Sequence, residues 1–524
     1  MAGVSATTAV AASLPANDIL FGLSMNPSSV TTSPVYNASA SGQFFFPNAT
    51  YDYCNVTFSY AHKGRGDNVN LQYWLPNPAN FQKSFLATGV LCMVYGTVAG
   101  IVDGGFRGFD NSLDTVFLLA NGNINYEALH MMGYRGIGEM KMIGKEFAKA
   151  FYDMGDDKVY TYYQSCSEGG REGWSQAQNY PGVYDGVIPG APAIRYGQQQ
   201  ANHFYSNVMQ KTLDYYPRLP ANSSVSSTPL SPLVIPPRRK ERWRGRPDGP
   251  LQVAFRRKLY HRPVLPLRCQ HSTTLAINGT VSAKGAAVAQ TIMDGLHDSK
   301  GRRAYISYQP SSSFADAETS YNSVTDSYEL SIASTGGEWI ARFLELHQAD
   351  NLSTLDNVTY DTLRDWMELG WKRYKDVLQT TWADLSKFQF AGGKILTFHG
   401  ESDQSIPTGS SVHFYESVHD TMYRDIKYNG STTAMGDWYR LFLVPGALHC
   451  ATNDVQANGP FPQTNLAVMI NWVEKVVTPQ TLNATHLAGD YEGQNAPLCA
   501  WPLRPYRADG EKMYGFDAYD MPLY

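Results

Sequence analysis

Three stretches of this chain carry residues that could do acyl-transfer chemistry. The first is Tyr162-Tyr163-Gln164-Ser165-Cys166-Ser167-Glu168-Gly169-Gly170-Arg171-Glu172-Gly173. A β-prone run, Lys158 to Tyr163, leads into it, and Ser175-Gln176-Ala177-Gln178 continues with helix-compatible residues. Strand, tight turn with a central Ser, then helix is the context a nucleophile elbow needs. The turn lifts the hydroxyl above the sheet and aims backbone N–H groups at a developing oxyanion. The usual pattern is G-x-S-x-G; here it is Ser165-x-Ser167-x-Gly169, with Ser in place of the first Gly. Such a match alone also fits an ordinary turn. What separates it from one is Cys166 beside Ser167, because a second pair, His449-Cys450, lies far downstream.

The other two stretches are His399-Gly400-Glu401-Ser402-Asp403-Gln404-Ser405-Ile406-Pro407 and Pro445-Gly446-Ala447-Leu448-His449-Cys450. Each follows an apolar, strand-like run, where catalytic groups on a rigid scaffold belong. Ser, acid, His is the triad order of α/β-hydrolases. In those roles Ser167 attacks an ester carbonyl, His449 takes and returns the proton, and Asp403 orients the imidazole. The backbone N–H of Glu168 is the nameable oxyanion donor. Glu401 is the alternative acid, with Asp403 then a turn residue. His399 and His413 are alternative histidines that fit the order less well, and His449 could be a packed loop residue. If Cys166 and Cys450 bridge, their Cα atoms lie roughly 4.4–6.8 Å apart, which sets Ser167 beside His449. The alternatives are two buried thiols, or Cys166 as nucleophile, which would need no second Cys next to the His.

The elements that position these groups can be read in order. Tyr51–Tyr60 and Val69–Leu75 alternate as a hairpin around Gly64-Arg65-Gly66-Asp67. Phe85-Leu86-Ala87 and Val116–Leu119 have strand character. Met140, Ile143, Phe147, Phe151 and Met154 form a helical stripe. After the elbow, 184–192 holds a short strand stopped by Pro. From about 193 to 388 helical stretches (286–296, 337–346, 361–379) alternate with polar loops, and no strand series is evident. Strands return at 394–399 and 438–444, and 465–477 carries Leu466, Met469, Trp472, Val473 and Val476 on one helical face. The expected fold class is therefore α/β: an α/β-hydrolase fold, its mostly parallel sheet covered by helices, with a large inserted lid. Residues 1–192 and 389–524 would form the catalytic domain and 193–388 the mainly helical lid.

Composition narrows the class. The chain has 524 residues, enough for two lobes, with 34 Tyr, 23 Phe and 10 Trp and a net charge of −5. No apolar run of about 18 residues occurs, so no membrane span is expected. The Met1–Ala16 segment is apolar but lacks a basic n-region and a Leu-rich core, and it makes a poor secretory signal as written. Yet Asn-x-Ser/Thr acceptors stand at Asn37, Asn48, Asn55, Asn222, Asn278, Asn351, Asn357, Asn429 and Asn483. So many in one chain fit a secreted glycoprotein whose signal is lost or truncated. Six Cys with no C-x-x-C spacing make neither a disulfide scaffold nor a metal site.

With these motifs the chain resembles the fungal tannase and feruloyl esterase family, most closely its tannase branch. Further similarity runs through Ser334-Thr335-Gly336-Gly337-Glu338, Asn357-Val358-Thr359-Tyr360-Asp361-Thr362-Leu363 and Cys499-Ala500-Trp501-Pro502. It covers most of the chain except about 89–100, 218–272 and the tail after 503. The resemblance implies a secreted serine esterase cleaving gallate or other hydroxyaromatic esters, with Ser167, Asp403 and His449 as triad and Cys166 bridged to Cys450. Feruloyl esterase activity on plant cell-wall esters, or an inactive member, are the alternatives. No cofactor is expected for catalysis, no nucleic acid and no membrane; the partner is a small aromatic or polyphenol ester.

Two departures stand out. The family's Gly-rich run after the strand at Phe85, which would supply a second oxyanion donor, is replaced by Gly89-Val90-Leu91-Cys92-Met93. The family also implies a structural calcium on an Asp-rich lid loop, which is not found here, so the metal ligands are unknown. Instead residues 238–268 hold 11 Lys/Arg against 2 Asp/Glu. This block suits a nucleic-acid-binding tail less well than a processing site, an irregular lid loop or a shifted reading frame. Cys54, Cys92, Cys269 and Cys499 are left without an assigned partner.

Overall fold

The structure is a computed structural model that describes residues 3–503 except 18, 43, 88–91, 217–265, 272–273, 281, 310, 454–458 and 488–490. Its spine is a nine-stranded sheet. The strands are β1 (Leu23–Ala40), β2 (Ala49–His62), β3 (Val69–Pro76), β4 (Ser84–Ala87), β5 (Val98–Val102), β6 (Tyr160–Cys166), β7 (Gly186–Gly190), β8 (Lys394–Gly400) and β9 (Tyr439–Val444). Their order is β1-β2-β3-β5-β4-β6-β7-β8-β9. The first three and β5 pair antiparallel, whereas β5, β4, β6, β7, β8 and β9 run parallel. The molecule thus has the expected α/β-hydrolase fold, and the carboxyl ends of β6 and β8, with the loop after β9, share one edge of the parallel half.

Burial on both faces explains the strand compositions, since parallel strands covered by helices read as continuous apolar runs. In β6, Tyr162 enters one core and Tyr163 the other, on opposite faces. Helix α1 (Gly136–Phe151) lays Met140, Ile143 and Phe147 on the first face, where Phe147 meets Phe58 at 5.5 Å and Tyr73 at 5.6 Å between ring centroids. Truncating so buried a ring to Ala costs about 3–5 kcal/mol. Helix α2 (Glu168–Asn179) adds Trp174 to the same face. Later in the chain come α3 (Tyr196–Asn202), α4 (Gly409–Met422) and α5 (Asn465–Lys475); α5 covers the second face with Leu466, Met469 and Trp472.

Several expectations need correction. Met154 lies beyond α1, which stops at Phe151. Residues Leu113–Val116 form a short helix, and Leu118 makes only an isolated bridge to Ile124; a Ser-x-Asp start favours a helical turn there. In β7, which ends at Gly190 two positions before Pro192, Pro189 lies within the strand opposite Ser165. Val476 adopts a left-handed conformation after α5 and is exposed rather than on the buried stripe. The connection between β7 and β8 contains, besides helices such as Ala283–Asp294 and Tyr360–Tyr374, two hairpins: Pro266–His271 with Thr274–Thr280, and Thr319–Asn322 with Ser327–Leu330. The second hairpin pairs Tyr321 with Tyr328 across its strands, a cross-strand aromatic contact that helical periodicity cannot reveal.

Candidate active site

The elbow is built by close approach. Ser167 stands between β6 and α2 at φ 67°, ψ −123°, a conformation that costs an L-residue about 1–3 kcal/mol. Three backbone bonds hold it there. Its N–H donates to Gly190 O (3.0 Å), and its carbonyl accepts from Arg171 N (3.1 Å) and Ala193 N (3.2 Å). A Cβ on Gly169 would lie 2.0 Å from Ser165 Oγ, and one on Gly170 2.3 Å from Gly190 O. Ser165 can therefore replace the usual first Gly only because position 169 has no side chain. Glu168 opens α2, where the first N–H groups have no intrahelical acceptor; its amide is free by position to meet an oxyanion. Any second donor from 89–91 lies outside the described residues.

Beneath the elbow sits a charge cluster that no motif announced. Arg171 is fully buried; its Nε and Nη2 contact Glu168 Oε1 at 2.8 Å, and its Nη1 donates to Gly133 O at 2.7 Å. Burial lifts the carboxyl pKa of Glu168 against the pull of Arg171. Glu172 is pushed up to about 7 by the same burial, with Arg171 opposing. Tyr163 Oη donates to Gly169 O (2.7 Å) and Glu172 Oε2 (3.1 Å). The cluster ties the start of α2 to the helical segment Met131–Arg135 and so stiffens the backbone that carries Ser167.

Asp403 and His449 converge because β8 and β9 pair in parallel, with His399 opposite Leu443 and Gly400 opposite Val444. Their following loops emerge together, so close that a Cβ on Gly400 would lie 2.5 Å from both Ala447 O and Leu448 O. Asp403 is completely buried. Its Oδ1 accepts from the N–H groups of Ser405 and Ile406, both at 2.8 Å. Its Oδ2 faces His449 Nδ1 at 2.8 Å and His399 Nε2 at 3.0 Å. Burial would raise this carboxyl's pKa, but His449 and the hydrogen bond from His399 outweigh it and hold Asp403 well below the usual carboxylate range. The carboxylate opposite His449 is thus Asp403 and not Glu401. His413 faces Arg195 Nη2 at 3.0 Å instead, and burial with that cation pushes it down to about 4.

Cys166 and Cys450 form a disulfide, Cα to Cα 6.0 Å, across 284 positions. The bridge joins the residue before Ser167 to the residue after His449, and Cys450 Sγ lies 3.7 Å from His449 Nε2. No hydrogen bond joins Ser167 Oγ to His449 in this structure; the disulfide makes them neighbours. Cys54 and Cys499 are free thiols, and the side chains of Cys92 and Cys269 lie outside the described ones.

The β7–β8 connection also reaches the acid loop. Gln199 of α3 donates to Ser405 O, Tyr308 Oη to the same carbonyl (3.2 Å), Ser312 Oγ to Asp403 O (2.8 Å) and Ser311 Oγ to Glu401 O (3.3 Å). None of these residues carried a sequence signal, because each is a polar side chain in an aperiodic segment.

Of the nine sequons, Asn37, Asn48, Asn357, Asn429 and Asn483 present their Asn to solvent. Asn55 is half-buried and accepts from Gln72 Nε2 (2.8 Å), and Asn351 Nδ2 donates to Ile332 O (3.1 Å). Asn222 and the side chain of Asn278 lie outside the described residues, as do most of the basic block 238–268 and the tail after 503. Among the described residues no helix is long and apolar enough to cross a membrane. Nor is there, among these residues, a group of three or more His, Cys, Asp or Glu side chains that could hold a metal ion, and no step below runs through a metal.

Comparison with known proteins places the chain in a family. Residues 54–515 match the family described as "Tannase and feruloyl esterase". The chain is 44% identical to a tannase of Aspergillus oryzae over 98% of its own length and 95% of the relative's. Among solved structures, it resembles the tannin acyl hydrolase of Aspergillus niger at TM-score 0.85 and 45% identity, covering 99% of this chain and 98% of that one. It shares its fold with feruloyl esterase B from Aspergillus oryzae at TM-score 0.62 and 20% identity, covering 93% and 94% of the two chains. The match spans nearly the whole molecule, and the chain belongs to the tannase and feruloyl esterase family of carboxylic ester hydrolases.

Proposed function

We propose that the protein is a secreted serine esterase that cleaves gallate and related hydroxyaromatic esters through an acyl-enzyme on Ser167. The observation that carries the mechanism is the 2.8 Å contact of Asp403 Oδ2 with His449 Nδ1 on a loop bridged to the elbow. Asp403 holds the ring with Nδ1 protonated, which leaves Nε2 free to accept the Ser167 proton. The alkoxide adds to the ester carbonyl, and the tetrahedral oxyanion meets the Glu168 N–H at the start of α2. His449 returns the proton to the leaving alcohol, then activates water to release the aromatic acid. No cofactor enters these steps. The gallate preference is supported by likeness to a tannase at 44% identity, against 27% for a probable feruloyl esterase of Arthroderma benhamiae. Secretion is supported by the solvent-facing sequons. The test is kcat/KM on methyl gallate and methyl ferulate for the wild type and Ser167→Ala. The variant should lose on the order of 10⁶ in kcat. Retention of more than a few per cent by folded Ser167→Ala refutes the nucleophile, and a tenfold ferulate preference refutes the substrate class.

A further inference from the structure

The carboxylate that faces His449 is shared. His399 Nε2 lies 3.0 Å from Asp403 Oδ2, the same atom that His449 Nδ1 approaches at 2.8 Å. We infer that His399 is a positioning residue for the ester-cleaving site, a second imidazole that holds the acid in register and sets the basicity of His449.

The hydrogen bonds fix its tautomer. Nε2 of His399 also lies 3.1 Å from Ile406 O, so two acceptors face that nitrogen and it carries the proton. Nδ1 lies 2.8 Å from Ser411 Oγ of α4, whose hydroxyl can donate to it. A neutral ring satisfies all three contacts. His399 is wholly buried, and its Nε2 is committed to Asp403 and Ile406, so it cannot touch substrate. It acts through Asp403.

Two effects follow. With Ser405 N and Ile406 N on Oδ1 and His399 on Oδ2, three fixed donors clamp the carboxylate before His449 is counted. Turning its plane would break bonds at both oxygens, so Oδ2 stays on the catalytic ring. Second, a donor on Oδ2 draws negative charge away from His449 and weakens the stabilisation of its imidazolium. Without that donor the carboxylate would hold the protonated ring more strongly, so the acid limb of the pH–rate profile is where the loss of His399 should read out. The other ionisable groups around Asp403 are Glu401 in its own loop, Tyr308 and the His203–Asp316 pair (2.8 Å) of the β7–β8 connection, and His413 with Arg195 across α4. The donors on the Asp403 side-chain oxygens are Ser405 N, Ile406 N, His399 and His449, and replacing His399 with Leu removes one of them.

This inference rests on the Ser167, His449 and Asp403 roles proposed above. The experiment is the pH dependence of kcat/KM on methyl gallate, paired with that of Ser167 inactivation by an aryl organophosphonate. The proteins are the wild type, His399→Leu and His399→Gln. Loss of the donor in His399→Leu should move the acid limb of both profiles upward by about 0.5–1 pH unit. His399→Gln, whose amide N–H falls near the place of Nε2, should move it back toward the wild type. Where the Leu variant is not recovered folded, His399→Asn, whose shorter amide cannot reach Oδ2, is read in its place. A merely structural role would lower the plateau and leave both limbs unmoved, which overturns the inference. Ser167→Ala separates the two levels. Turnover that survives it overturns the triad reading and this inference together, whereas lost turnover with unmoved limbs overturns this inference alone.

Discussion

Replacing Asp403 with Asn changes one atom at the point where four donors meet, and the structure says which way the damage runs. Oδ1 accepts from two backbone N–H groups and Oδ2 faces two imidazoles. An amide has only one oxygen, so in either orientation its NH₂ opposes two donors. Turning the NH₂ toward Ser405 and Ile406 would orphan two buried backbone N–H groups, each at about 1–3 kcal/mol. Turning it toward the rings costs less, because an imidazole can change tautomer and offer a lone pair instead. Asp403→Asn should therefore fold, lose roughly 1–3 kcal/mol of stability, and hold His449 with Nδ1 as acceptor and Nε2 protonated. That ring cannot take the proton of Ser167, and kcat should fall about 10⁴-fold. The assay is kcat for methyl gallate hydrolysis near neutral pH, with circular dichroism and thermal unfolding to show the fold is retained. A folded Asp403→Asn within tenfold of wild-type kcat refutes the reasoning, because the tautomer would then be set by something other than this carboxylate.

The remaining predictions concern the bridge and one buried cation. Closing a loop of 284 positions removes unfolded-state entropy worth up to about 5–6 kcal/mol in the chain-entropy model. Cys166→Ala with Cys450→Ala should lower Tm and, through lost registration of Ser167 against His449, reduce kcat by about 100-fold; free thiols with undiminished activity in a sample mapped without reductant would remove the bridge from the mechanism. Lys141 of α1 is 3% exposed, with its Nζ 5.7 Å from the Tyr184 ring centroid, and burial pushes it down to about 7. Its folded pKa lies below the unfolded value near 10.4, so the native state binds fewer protons between about pH 7 and 10 and the penalty for burying the charge is greatest below 7. Lys141→Met should accordingly raise stability by roughly 2 kcal/mol at pH 6–7, a gain that dwindles toward pH 10; a Tm difference that is flat across that range would show the lysine is not charged in the core.

Much of the site was legible in the chain because its parts are local signals at strand ends. The β-prone run before Ser167, the small residues of the turn and the order of Ser167, Asp403 and His449 all lie in short windows, where periodicity and turn chemistry speak. The Met140, Ile143 and Phe147 stripe likewise declared α1 and its buried face. Other features had no local signature. The hairpin at Thr319–Leu330 is written in polar residues whose pairing appears only across the turn. Val476 continues the helical stripe in sequence, yet the chain leaves the helix at Lys475 before it can be buried. His399 lies in β8 and Asp403 four positions on, in the loop that follows, but sequence alone does not say that the ring turns toward the carboxylate that faces His449. Gln199, Tyr308 and Ser312 reach the acid loop from the β7–β8 connection, distant in sequence, and Arg171 reaches from α2 to the Gly133 carbonyl. The residue pattern of the chain marked most strands of the central sheet and the loops that carry Ser167, Asp403 and His449. The tertiary structure alone decided how many donors share one buried carboxylate and which buried charges compensate one another, because electrostatics depends on distance through space and not along the chain.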